Sequence, residues 1–266
     1  MSANDRSGLR VASVGAFGRM GDRVRALLDT TVDARLCGAL EAPDHPQIGA
    51  TLAPGVILTS DAAIAFADAD VAIDFTIPRA TLAALEIAAQ RGVAYVCGTT
   101  GFTPAERAAI ETAAKRIPIV LSPNFSVAVV VLAHLVGEAA RLLGPGYDAE
   151  IVELHHGQKR DAPSGTALRL AEAVAAARGQ DLDGVLVAGR QGETGPRIPG
   201  SIGLQALRGG DNPGEHTVML LGRGERLELV HRAASRDHFA AGALRAAHWV
   251  CGRAPGLYAV EQVLGL

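Results

Sequence analysis

Cysteine, net charge and unbroken apolar sequence are all scarce in this chain, and each shortage excludes something. Among 266 residues there are three cysteines, Cys37, Cys97 and Cys251, an odd number without paired spacing and each in apolar surroundings. That usage excludes a disulfide-stapled fold and predicts buried, unpaired thiols in a reducing compartment. A formal net charge of −3 supplies no basic field, so neither nucleic acid nor an anionic membrane is an expected partner. The most apolar run, Val127 to Leu143, is broken by His134, Glu138 and Arg141, which predicts a helix of a soluble protein instead of a membrane span. The opening Met-Ser-Ala-Asn-Asp-Arg-Ser lacks the apolar stretch of a secretory leader, and a cytoplasmic location is expected.

What is present is an alternation. The length suffices for one large domain or two modest ones. In the first half, strand signals at Leu9–Val14, Ala34–Leu40, Val71–Phe75, Val93–Cys97 and Pro118–Leu121 alternate with helical ones. The helices run through Leu28, over Pro78–Arg91 and over 104–116, the last opened by a capping box, Thr103-Pro-Ala-Glu106, with proline at the first helical position. This βαβ rhythm predicts a doubly wound parallel sheet whose ligands lie beyond the carboxyl ends of the strands.

Three loops sit at such ends. After the first strand comes Gly15-Ala16-Phe17-Gly18-Arg19-Met20-Gly21, a G-x-x-G-x-x-G spacing that lets the backbone turn tightly and approach a pyrophosphate. Glu41 closes the second strand 20 positions after Gly21, where an acidic side chain can accept from adenosine ribose hydroxyls. Gly98-Thr99-Thr100 and Ser122-Pro123-Asn124-Phe125 complete a crevice suited to the nicotinamide ribose and carboxamide. Taken singly, either of these two loops reads equally well as turn chemistry.

Beyond Ser126 the pattern changes to strands at Ala149–Leu154, Ile202–Leu207, His216–Leu221 and 225–232, one helix and a glycine-rich stretch, which predicts an α+β domain over 127–235. The amphipathic run Asp237–Val250 is expected to pack back on the first domain, giving it residues 1–126 with 236–266. The chemistry is concentrated in Glu153-Leu-His-His-Gly-Gln-Lys-Arg-Asp-Ala-Pro-Ser-Gly-Thr-Ala. His155, His156 and Lys159 can supply protons or positive charge. Ser164 reads as the N-cap of a helix whose free amides at Gly165 and Thr166 would bind a carboxylate or phosphate. A metal is not expected, because His-His-x-x-Lys has no third ligand at a usual spacing and adjacent histidines on a strand point to opposite faces.

Together, Gly15–Gly21, Gly98-Thr-Thr-Gly101, Ser122-Pro-Asn-Phe-Ser126, Glu153-Leu-His-His, Lys159, Asp161-Ala-Pro-Ser-Gly-Thr-Ala167 and Arg208-Gly-Gly-Asp-Asn-Pro-Gly-Glu-His-Thr217 resemble bacterial dihydrodipicolinate reductase over nearly the whole chain. The resemblance implies an α/β fold, a Rossmann-like doubly wound sheet plus a second α+β domain for substrate binding and oligomerisation. It implies hydride transfer from NADH or NADPH to a cyclic imine dicarboxylate in lysine and diaminopimelate biosynthesis, by a homotetramer. It makes His155 the acid/base group, Lys159 a proton donor, His156 a substrate contact, and Gly165 with Thr166 the carboxylate cradle. Arg160, Asn212-Pro213 and Leu204-Gln-Ala depart from the common family pattern. Two other functions share this plan: another nicotinamide-dependent reductase, which would need its own catalytic set, and a dinucleotide sensor, which would need neither Lys159 nor the cradle.

Overall fold

A computed structural model describes residues 8–266. The chain runs β1 (Leu9–Val14), α1 (Arg19–Leu28), β2 (Ala34–Leu40), β3 (Thr51–Ala53), β4 (Val56–Thr59), α2 (Ala62–Ala65), β5 (Val71–Asp74), α3 (Pro78–Arg91), β6 (Ala94–Cys97), α4 (Pro104–Ala114) and β7 (Pro118–Leu121). It continues through α5 (Val127–Leu143), β8 (Asp148–His155), α6 (Gly165–Ala177), α7 (Leu182–Val185), β9 (Leu186–Ala188), β10 (Ile202–Arg208), β11 (Glu215–Leu221) and β12 (Arg226–Arg232). It closes with α8 (Asp237–Val250), β13 (Gly256–Tyr258) and α9 (Val260–Leu264). Two compact units result, one running to Ser126 and resuming at Arg236, the other Val127–Ser235.

The first unit is built on an eight-stranded sheet in the order β13-β7-β6-β5-β1-β2-β4-β3, parallel except where β3 runs against β4. Strands β5 and β6 are buried at every position, as parallel strands covered on both faces must be. Phe66, Ile110, Ile119 and the ring of Tyr95 fill the core, each contributing about 1.5–3 kcal/mol of burial. The capping box of α4 forms: the Thr103 hydroxyl accepts from the Glu106 amide, and the Glu106 carboxylate accepts from the Thr103 amide at 2.7 Å. Because β1 lies between β2 and β5, the winding reverses there, and the loop after β1 opens into the crevice where α/β sheets bind ligands.

The second unit has a five-stranded sheet, β12-β11-β8-β10-β9, with β8 parallel to β10 and antiparallel to β11. Alternation along β8 turns Ala149, Ile151, Glu153 and His155 inward. The apolar members meet Leu132 and Val136 of α5 and Leu170 and Val174 of α6. By length and composition α5 could cross a membrane, yet six of its residues are buried, among them Leu132, Ala133, Val136 and Ala140 within this core.

Some elements differ from the sequence reading. The short strands β3, β4, β9 and β13 and helices α2, α7 and α9 carry no periodicity long enough to announce them. All three cysteines are free, but only Cys97 is buried; Cys37 and Cys251 are half-buried. Burial raises the thiols of Cys37 and Cys97 to about 12 and that of Cys251 to about 11, so all three stay protonated at neutral pH.

Candidate active site

In the first unit, Gly15, Ala16, Phe17 and Gly18 form the turn from β1 into α1, and Arg19, Met20 and Gly21 begin the helix. No side chain caps α1, which leaves its first amides for an anion. A Cβ on Gly21 would stand 2.1 Å from the Gly15 carbonyl oxygen, so only glycine lets the helix sit this close to the loop. Glu41, just past β2, accepts from the Phe17 amide at 2.9 Å and the Ala42 amide at 3.0 Å, which ties the acidic side chain to the glycine loop. The Phe17 ring stacks on His45 with centroids 5.0 Å apart, and the Arg25 guanidinium lies 4.5 Å from the Phe17 ring centroid. A helix start without a side-chain cap, a turn with room only for glycine and an adjacent carboxylate fit a dinucleotide.

The other two loops are stiffened from beneath. Thr99 is buried, and its hydroxyl accepts from Thr81 Oγ1 at 2.8 Å and the Thr76 amide at 3.0 Å, while Gly98 is half-buried and Thr100 exposed. Thr76, Thr81 and Thr99 belong to a network around Asp74, whose Oδ2 accepts from the Tyr95 hydroxyl at 2.8 Å. Burial pushes the Asp74 carboxyl upward against these hydrogen bonds. In the loop after β7, the Ser122 hydroxyl donates to the Asn124 carbonyl, Asn124 Oδ1 accepts from the Ser126 amide, and Pro123 is exposed. Phe125 is fully buried, edge-on to Phe75 at 5.8 Å. Thr99, Ser122 and Phe125 thus hold their loops from within. Asp74, Thr81 and Tyr95 had no mark in the sequence reading.

In the second unit, β8 ends at His155 and α6 starts at Gly165, and the loop between them is closed by Glu153. This residue is 0% exposed. One carboxylate oxygen accepts from the Ser164 amide at 2.9 Å and Arg208 Nη2 at 3.0 Å; the other meets Arg208 Nη1 at 3.1 Å and His155 Nδ1. Burial opposes its charge, but His155, Arg208 and the Ser164 amide outweigh that cost and hold the carboxyl down at about 2. Ser164 caps α6 as its sequence suggests, its hydroxyl accepting from the Ala167 amide at 3.2 Å. Gly165 is exposed, with no heavy atom within 4 Å of where a Cβ would stand, and Thr166 is half-buried beside it.

His156, half-buried, donates its amide to the Asn212 carbonyl, and the Gly157 amide reaches the Gly210 carbonyl, so the loop is pinned to the turn after β10. Lys159 donates to both oxygens of Asp161 at 2.8 and 2.7 Å. His216, from β11, packs edge-on to His155 at 5.2 Å and is driven down to about 4, first by burial and then by the neighbouring His155. Glu153, His155 and His216 carry ligand-type atoms within 4.8 Å of one another, a grouping that sequence spacing could not show. The Glu153 charge is already balanced by the Arg208 guanidinium. Glu153 and His155 share a strand face two residues apart, a signal readable in sequence; Arg208 and His216 arrive from distant strands, marked in sequence only by the Arg208–Thr217 motif and not by any sign of this contact.

A doubly wound sheet with a glycine turn and an adjacent carboxylate, and a second unit that carries His155, His156 and Lys159 ahead of a helix start, define the class of a nicotinamide-dependent oxidoreductase. The family models described as "Dihydrodipicolinate reductase, N-terminus" and "Dihydrodipicolinate reductase, C-terminus" match residues 9–125 and 128–264. Proteins named 4-hydroxy-tetrahydrodipicolinate reductase are similar throughout. That of Syntrophotalea carbinolica is 48% identical over 97% of this chain and 99% of its own, and that of Anaeromyxobacter sp. strain Fw109-5 is 51% identical over 97% and 98%. A dipicolinate-bound dihydrodipicolinate reductase from Paenisporosarcina sp. TG-14 superposes with a TM-score of 0.78 at 25% identity, over 95% of this chain and 97% of that one. The chain belongs to the dihydrodipicolinate reductase family.

Proposed function

We propose that this protein reduces 4-hydroxy-tetrahydrodipicolinate to tetrahydrodipicolinate, the step that serves lysine and diaminopimelate synthesis. The observation that carries the reading is the clustering of His155, Lys159 and the amide-lined start of α6 within one loop of a chain whose relatives bear that activity. When bound, NADH or NADPH supplies the hydride. The chain's own residues do the rest. The Gly165 and Thr166 amides take a substrate carboxylate at the positive end of α6. Lys159 adds the positive charge that a dianionic ring attracts. Hydride addition to a conjugated imine leaves an enamine that needs a proton, and His155 with Lys159 are the groups placed to deliver it.

Cofactor preference follows from the end of β2. Glu41 can accept from both ribose hydroxyls, and the next residue is Ala42, with no guanidinium to meet a 2′-phosphate. NADH is therefore used at least as well as NADPH. The working form is a cytoplasmic homotetramer joined through the second sheet, where Leu207 and Val230 are 50% and 43% exposed on the face opposite the helices. Purified protein, supplied with substrate by a coupled synthase, should oxidise NADH in a reaction inhibited by pyridine-2,6-dicarboxylate. Absence of substrate-dependent oxidation with either cofactor would overturn the reading.

A further inference from the structure

The reactive nitrogen of His155 is set by its surroundings. Glu153 lies on the same face of β8, two residues away, with its carboxylate against Nδ1. That carboxylate is itself gripped by both Nη atoms of Arg208 and by the Ser164 amide. Arg208 is fixed in turn, donating to the Leu207 carbonyl at 2.6 Å and the Asp161 carbonyl at 2.7 Å. A carboxylate so engaged is an acceptor only, so the proton between Glu153 and His155 belongs to Nδ1. On the opposite edge of the ring, Nε2 faces Gly214, where a Cβ would stand 2.9 Å away, so only glycine leaves the space beside that nitrogen open.

We propose that Glu153 is the positioning residue of the reaction assigned above: by holding the Nδ1 proton, it makes Nε2 the nitrogen that gives its proton to the reduced ring. The inference rests on that assignment. In the step, the Nε2–H bond breaks and a C–H bond forms at the enamine carbon. The cationic enzyme group becomes a neutral imidazole with hydrogen on Nδ1, and solvent returns the proton to Nε2. The hydride has already come from the nicotinamide. Glu153 touches neither substrate nor cofactor in this scheme; it acts through His155, and through Ser164 it also fixes the start of the helix that receives the carboxylate.

The charged and titratable groups around His155 are of both signs. Glu153 on β8 sets a carboxylate against Nδ1. Arg208 on β10 is spent on that same carboxylate, and Lys159 on the loop is paired with Asp161. His216 on β11, with His231 of β12 behind it at 6.0 Å, is held neutral by burial and adds no fixed charge beside the donor at physiological pH. Removing the Glu153 carboxylate therefore removes the acceptor that holds the Nδ1 proton.

The test uses full-length protein and Glu153→Gln. The amide, which can turn either its oxygen or its NH2 toward Nδ1, no longer fixes the tautomer, and should lower kcat by about 10²-fold with KM changed much less. Nitrogen-15 NMR of the imidazole signals, with His155 identified by its loss in His155→Asn, reads the tautomer without turnover. The neutral wild-type ring should carry its proton on Nδ1. A wild-type proton on Nε2, or an unchanged kcat in the variant, overturns the proposal. Because the NMR measurement stands even if wild-type enzyme ignores the substrate, failure of the reaction and failure of the positioning role are told apart.

Discussion

Lys159 is one of only two lysines in the chain, the other being Lys115, among 25 basic residues. Arginine cannot surrender a proton at accessible pH, whereas lysine can, so the scarcity gives Lys159 a specific meaning. Lys159→Arg should keep substrate KM within a few-fold and lose most of kcat, and His155→Ala should lower kcat by about 10²–10⁴-fold with cofactor affinity nearly unchanged. Steady-state kinetics with cofactor fluorescence titration checks both; normal turnover of the arginine variant would reduce Lys159 to a charge. At Ala42 the effect lies in cofactor choice. Ala42→Arg should place a guanidinium next to Glu41 and shift kcat/KM toward NADPH. A wild-type NADPH preference above about tenfold, roughly 1.4 kcal/mol, would mean that another basic group reads the phosphate.

At the scale of elements, α6 is both cap and cradle, and the two roles separate by substitution. Thr166→Val should raise substrate KM moderately. Gly165→Val should do far more, since no protein atom lies within 4 Å of its Cβ position and the side chain would fill the space where the carboxylate must sit. Equal and mild effects in the kinetics would leave only the cap. The strands β8 and β11 make the second unit sensitive to acid in two stages. His216, ordinarily near 6.5, is held at about 4 when folded, so the unfolded chain takes up the proton first. Stability of this unit should decline as pH falls from about 6.5 to about 4, by on the order of 3 kcal/mol. Glu153, depressed from 4.5 to about 2, stabilises above its unfolded value, and that contribution disappears as pH drops through about 2. Urea unfolding at pH 7 and pH 4.5 measures the first stage, which His216→Gln should flatten.

Legibility divides along the same elements. Strands β2 and β7 and helices α3 and α8 could be read to the residue, because continuous apolar runs, an initial proline and Gly92 at φ +72 are local signals. The three-residue strands β3, β9 and β13 owe their existence to neighbours in the sheet, and nothing within three residues reports a neighbour. Around the candidate site the local half was likewise legible: the capping Ser164 follows from its own helix. Arg208 and His216 come into place only through the register that pairs Arg208 with His155 and His216 with Glu153, and register is a property of two strands at once.

For the molecule as a whole, the proposed tetramer has a direct test. Light scattering should report four chains, and charged substitutions at Leu207 and Val230 should release smaller species; a wild-type protein active as a stable monomer would end the assembly claim. The chain path has a further consequence, for synthesis on the ribosome. The sheet of the first unit is covered partly by α8, which packs on β5, β6 and β7, and its edge is completed by β13 against β7. Those pieces lie beyond Arg236, whereas the second unit is one uninterrupted stretch. A nascent chain therefore holds every residue of the later-made unit before it holds all of the earlier-started one. For as long as the ribosome takes to add the final thirty or so residues, at about 5–20 residues per second, apolar surface of β5 to β7 stands without its cover, and that interval is when a chaperone would have something to hold.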